Sequence, residues 1–157
     1  MNRVLGLIVA ALLFNCAAFM TNKRLTKNQI IHIWTFTIAL QNIVDLYLST
    51  KYEAYWYFTK EIKWESFPAR VVLIPAVNML FLSWYPFRDS LSKRVVCFIS
   101  FWILIVLYEA CALLPEPWGY LRYGWWDLTY SALSYPFLLI LILKYYQWIC
   151  RVESYKP

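Results

Sequence analysis

The stretch VVCFISFWILIVLYEACALL, residues 95–114, decides the fold. Its twenty residues carry one charged side chain, Glu109, and show none of the apolar–polar alternation that a strand of a transmembrane barrel requires. At 1.5 Å per residue such a helix is about 30 Å long, the thickness of a bilayer's hydrocarbon core. Working outward, comparable runs occupy about 4–20, 29–50, 69–87 and 128–149, which predicts an all-α integral membrane bundle of about five transmembrane helices, one domain over 1–157. Composition agrees: 62% of the 157 residues are hydrophobic, 20% aromatic and 15% charged. A soluble domain of this size cannot bury so much apolar surface, and disorder, collagen and coiled coil are excluded.

The first run follows Arg3 and resembles a signal peptide. No clean A-x-A site follows it, and the heavier positive cluster, Lys23, Arg24 and Lys27, comes after it; a retained first helix is expected. With five spans, one face carries Lys23, Arg24, Lys27, Arg88, Lys93, Arg94, Arg151 and Lys156, against Arg3, Lys51, Lys60, Lys63, Arg70 and Arg122 on the other. Eight against six places the N-terminus outside and the C-terminus in the cytoplasm. The net charge of +6 is spread over short loops, with no basic stripe or module that would bind nucleic acid.

Two connections stand out. KYEAYWYFTKEIKWESFP, 51–68, mixes aromatic rings with charges of both signs and is expected to lie on the membrane, with Tyr52, Tyr55, Trp56, Tyr57, Phe58, Ile62, Trp64 and Phe67 at headgroup level. PEPWGYLRYGWWD, 115–127, is expected to be a compact surface or re-entrant loop, with Gly119 and Gly124 permitting positive φ. Its Glu116, Trp118, Arg122, Trp125, Trp126 and Asp127 form a candidate outer vestibule, solvated loop charges being the plainer reading. Pro75 and Pro136 fall inside spans and need neighbours for the carbonyls they free.

No catalytic, metal or cofactor motif is present: His32 has no partner spacing, Cys16, Cys97, Cys111 and Cys150 form no CxxC and read as packing residues, and no phosphate loop or GxSxG occurs. The informative residues are ionisable ones inside spans. Asp45 and Glu109 each sit about five residues from the outer end of a span, and Arg70 opens a span at the same face. A lone charge in a bilayer is costly, so these three are expected to meet as a triad. Gln41 and Asn42 lie about 40° and 60° from the direction of Asp45 around the helix, which predicts one inward polar stripe that Asn78 and Tyr108 can join.

The segments DLYLSTKYEAYWYF (45–58), PAVNMLFLSWYPF (75–87) and LYEACALLPEPWGYLRYGWWDLTYSALSYP (107–136) resemble a family of small, uncharacterised multi-pass membrane proteins of spore-forming Gram-positive bacteria. The resemblance implies a helical bundle in the bacterial inner membrane and carries no activity. Three readings follow. The first is a non-enzymatic protein whose outer-facing polar pocket takes a small ligand or a partner protein, its size suiting a dimer or a subunit of a larger assembly. The second is a transporter or channel component using the carboxylates for cation or proton coupling. The third, less favoured, is a lipid-acting enzyme.

Overall fold

A computed structural model describes residues 4–61 and 64–154; Arg3, Ile62, Lys63 and Lys156, invoked above, lie outside the described residues. Five α-helices form the bundle: α1 (Leu5–Thr21), α2 (Lys27–Asp45), α3 (Ile74–Trp84), α4 (Leu91–Ala112) and α5 (Leu128–Ser154). A π-helical stretch, Leu46–Lys51, prolongs α2, and another, Ala69–Leu73, leads into α3. Four continuous helical stretches, Lys27–Lys51, Trp64–Trp84, Leu91–Ala112 and Leu128–Ser154, are long and apolar enough to cross a membrane. The first helix is apolar but has only 17 residues, about 25 Å at the α-helical rise. Its length is that of the run expected over 4–20, so the bundle has the five helices the sequence predicts, four of them long and apolar enough to cross a membrane.

Successive helices reverse direction. The Gly6 amide at the start of α1 donates to the Pro117 carbonyl at 3.1 Å, and Thr21 at its other end accepts from Trp84 Nε1 at 2.9 Å. At that far end Thr26 and Gln29 close a capping box on α2, satisfying amides that the first turn leaves unpaired. Gln29 Nε2 and Asn28 Nδ2 then donate to the two Glu153 carboxylate oxygens of α5, at 2.6 and 2.7 Å. Helix α1 buries Leu7, Ala11 and Ala18, small residues among them allowing close approach of helix backbones. The outward face is apolar, with Leu13 65% and Phe137 75% exposed, a surface suited to lipid. Cys16 and Cys111 share that exposed surface, so they are not the packing residues expected; all four cysteines are free.

Burial from lipid supplies little driving force between helices, so packing and polar contacts must hold them. One core cluster, around Ile33, Met79, Phe81, Phe101, Ile142 and Tyr146, fills the far half. A second, around Leu7, Tyr57, Ala69, Leu73, Tyr120 and Leu121, fills the other half. Pro136 lies inside α5 and cannot donate to the carbonyl of residue 132; Trp102 Nε1 of α4 donates to it instead, at 2.8 Å. Pro75 occurs in the first turn of α3, next to the widened π turns.

The two loops at the other end are joined to each other. Strand β1 (Tyr55–Tyr57) pairs antiparallel with β2 (Leu121–Tyr123), Tyr55 opposite Tyr123 and Tyr57 opposite Leu121. Backbone amides thus find partners where neither loop offers them alone. Glu53 and Phe58, both with positive φ, reverse the chain on either side of β1. No glycine has positive φ among the described residues, contrary to expectation. Gly119 is required for space: a Cβ there would lie 1.7 Å from the Leu114 carbonyl oxygen. This two-stranded cap covers one end of the bundle.

Candidate functional site

Beneath the cap, alternation along the strand sends Tyr55 and Tyr57 to the same side of β1. Tyr55 Oη donates to Asp45 Oδ1 at 2.6 Å, and Gln41 Nε2, one helical turn earlier, donates to the same oxygen at 3.0 Å. Arg70 Nε lies 2.8 Å from Oδ2, so the last residue of α2 and the π turn before α3 form a buried ion pair. The guanidinium also sits over the Tyr57 ring, 5.0 Å from its centroid. Burial first, and the Asp45 charge after it, push the Tyr55 phenol upward, which keeps it protonated as a donor.

Glu109 does not join this pair. It is buried on α4, where Ser131 Oγ donates to Oε1 at 2.8 Å and Tyr135 Oη to Oε2 at 2.6 Å. Ser131 and Tyr135 lie one turn apart on α5, and Trp126 Nε1 donates to Ser131 Oγ at 2.8 Å. Among the described residues no basic side chain pairs with Glu109. The predicted triad is therefore two separate anchors: Asp45 with Arg70, and Glu109 with α5. The physical reason is lateral. Equal depth along the bundle does not bring side chains together when α2 with α3 and α4 with α5 pack as pairs on opposite sides of a space.

That space is a cavity of about 220 Å³ between α2, α3, α4, α5 and the cap. Gln41, Tyr55, Tyr57, Tyr108, Glu109 and Tyr120 line its head; Leu40, Val44, Leu73, Val77, Leu104 and Leu138 line its apolar body. Tyr108 bonds Tyr120, hydroxyl to hydroxyl at 2.7 Å, tying α4 to the cap. Asn78 lines the cavity lower down, where its Nδ2 donates to Thr37 Oγ1 at 3.1 Å. Asn42 is outside the stripe predicted for it: it is exposed and bonds back to the Ile38 carbonyl at 2.8 Å. Sixty degrees from Asp45 is too far around the helix to reach the interior.

The loop residues have mostly structural tasks. Asp127 Oδ1 accepts from the Thr129 and Tyr130 amides and caps α5, and Arg122 Nη1 donates to the Leu114 and Leu121 carbonyls. Trp125 Nε1 reaches the Tyr52 carbonyl at 2.7 Å, while Glu116 and Trp118 are exposed beside the cis Glu116–Pro117 bond. Of the expected vestibule, Trp126 alone lines the cavity. Tyr55 and Tyr57 turn inward rather than to headgroup level, as do Tyr120, Ser131 and Tyr135, which the sequence reading missed. The signals were present: the i, i+2 spacing of Tyr55 and Tyr57, and the i, i+4 spacing of Ser131 and Tyr135. No group of His, Cys, Asp and Glu able to hold a metal occurs among the described residues.

Comparison of the chain with protein-family models, with curated proteins and with solved structures finds no match.

Proposed function

We propose that the protein is a non-enzymatic multi-pass protein of the bacterial cytoplasmic membrane that holds a small ligand in the cavity under its cap, the cap facing outward and the C-terminus in the cytoplasm. One observation carries this reading: an apolar space ending in a cluster of hydrogen-bonding groups, the composition by which ligand sites combine affinity with orientation. At the floor of the space Phe36 stacks on Tyr145 at 3.9 Å, and Ile33, Ile142 and Tyr146 are buried. That closure favours holding a ligand over conducting one. The basic residues of the far end, Lys23, Arg24, Lys27, Arg88, Lys93, Arg94 and Arg151, support the direction, and the family resemblance supports the type of membrane.

Two measurements test this reading. Radiolabelled decanol, dialysed against the full chain in lipid nanodiscs, is expected to bind saturably at about one molecule per chain above empty discs. Leu138→Trp, which fills the cavity body, is expected to remove that binding. Equal partition into loaded and empty discs would refute the ligand site. For the direction, a reporter fused to the C-terminus is expected to be active on the cytoplasmic side; activity outside reverses the topology.

A further inference from the structure

The cap end holds two acids and one base within the bundle. Arg70 is committed to Asp45 at 2.8 Å, which leaves the Glu109 carboxylate without a counter-charge among the described residues. Ser131 and Tyr135 each donate to one of its oxygens and the Tyr123 hydroxyl stands beside it, neutral donors that leave its charge uncompensated. Glu109 borders the cavity, and around the same space stand the rings of Tyr55, Tyr57, Tyr108, Tyr120, Tyr135 and Trp126. Aromatic rings beside a carboxylate are the chemistry that receives an ammonium ion, Tyr57 excepted because Arg70 already lies over its ring. An anion placed there would meet Glu109, and a purely apolar guest would leave the head of the cavity unused.

The body of the cavity sets the rest of the ligand. Along α5 it extends from Ser131 to Ile142, about 16 Å at the helical rise. Its volume of about 220 Å³ lies below the roughly 300 Å³ at which drug-sized pockets begin, which suits a guest with one hydrocarbon chain. Leu40, Val44 and Leu48 of α2 and Ser134 and Leu138 of α5 line it and are half-buried, so this side of the cavity lies nearest the outer, lipid-suited surface of the bundle. The contacts joining those two helices, Phe36 on Tyr145 and Gln29 with Glu153, lie toward the far end.

We infer that the cavity takes a single-chain alkylammonium, its cationic head against Glu109 among the tyrosines and its chain in the apolar body. This rests on the reading of the cavity as a ligand site. The test compares two probes of equal chain length, decyltrimethylammonium and decanol, dialysed against the full chain in phosphatidylglycerol nanodiscs with empty discs subtracted. The ammonium is expected to bind more tightly by about 10- to 100-fold, the worth of a desolvated cation among aromatic rings. Glu109→Gln is expected to erase that difference by weakening the ammonium to about the affinity of decanol. Equal affinity of the two probes for the unaltered chain overturns the ammonium assignment while the cavity reading stands; failure of both to bind overturns both. The comparison on the unaltered chain decides the matter should the Gln variant fail to fold. Displacement of the ammonium by phosphatidylcholine added to the discs would overturn the single-chain assignment in favour of a lipid headgroup.

Discussion

Replacing Arg70 by Met is expected to destabilise the folded chain by about 3–5 kcal/mol, because it leaves the Asp45 carboxylate buried without its cation. Both partners are shielded, their side chains 13% and 3% exposed, so solvent does little to screen the pair. Tyr55 and Gln41 would still donate to Oδ1, which is why the loss stays below that of an isolated ion. Arg70→Lys should recover part of the stability, keeping the charge while losing the planar group that lies over Tyr57. Asp45→Asn together with Arg70→Met should cost less than the sum of the two single changes, the signature of a direct interaction. Chemical unfolding in mixed micelles reads all four. An Arg70→Met chain within about 0.5 kcal/mol of the original, the scale of an ordinary surface change, would mean that the pair clamps nothing.

The other large effect belongs to a residue with no side chain. Gly119→Ala would place a methyl carbon 1.7 Å from the Leu114 carbonyl oxygen and 2.5 Å from its carbon, both backbone atoms with no rotamer by which to yield. The loop must move, and with it the bonds it supports: Gly119 N–H to Pro115 O at 3.1 Å and Tyr120 N–H to Ala112 O at 2.9 Å. We expect a loss of more than about 3 kcal/mol, beyond the usual range of overpacking. Hydrogen exchange gives a local readout. The Phe58 amide, which donates to the Tyr120 carbonyl at 2.7 Å, should lose its protection before amides in the far half do. Unchanged protection and yield would show that the loop tolerates the extra carbon.

The helices were legible because lipid imposes one rule on every residue of a span, and runs such as 95–114 obey it without interruption. Depth was legible for the same reason: counting from span ends put Asp45 and Arg70 at one level, and they meet. Rotation about the bundle axis was not. Nothing in the spacing of Glu109 says that α5 rather than α3 stands beside it, and its partners Ser131 and Tyr135 are common residues in any span. The cap was hidden for another reason. Its two strands have three residues each and lie more than sixty positions apart, so neither shows a pattern long enough to be read. The π turns on either side of the ion pair, Leu46–Lys51 and Ala69–Leu73, have no sequence signature at all.

The strand pairing bears on how the molecule is made. Tyr55–Tyr57 leaves the ribosome long before Leu121–Tyr123 exists, and α4 must be inserted between the two events. Until then the earlier strand offers bare amides and carbonyls at the membrane surface, and Tyr55 can approach Asp45 only from an unpaired segment. The first three helices can lock through Arg70 during translation, but the roof over them waits for α4, and the α5 wall follows the roof. The chamber therefore has no complete wall until α5 is in place, and its occupant can settle only after the last helix has joined the bundle.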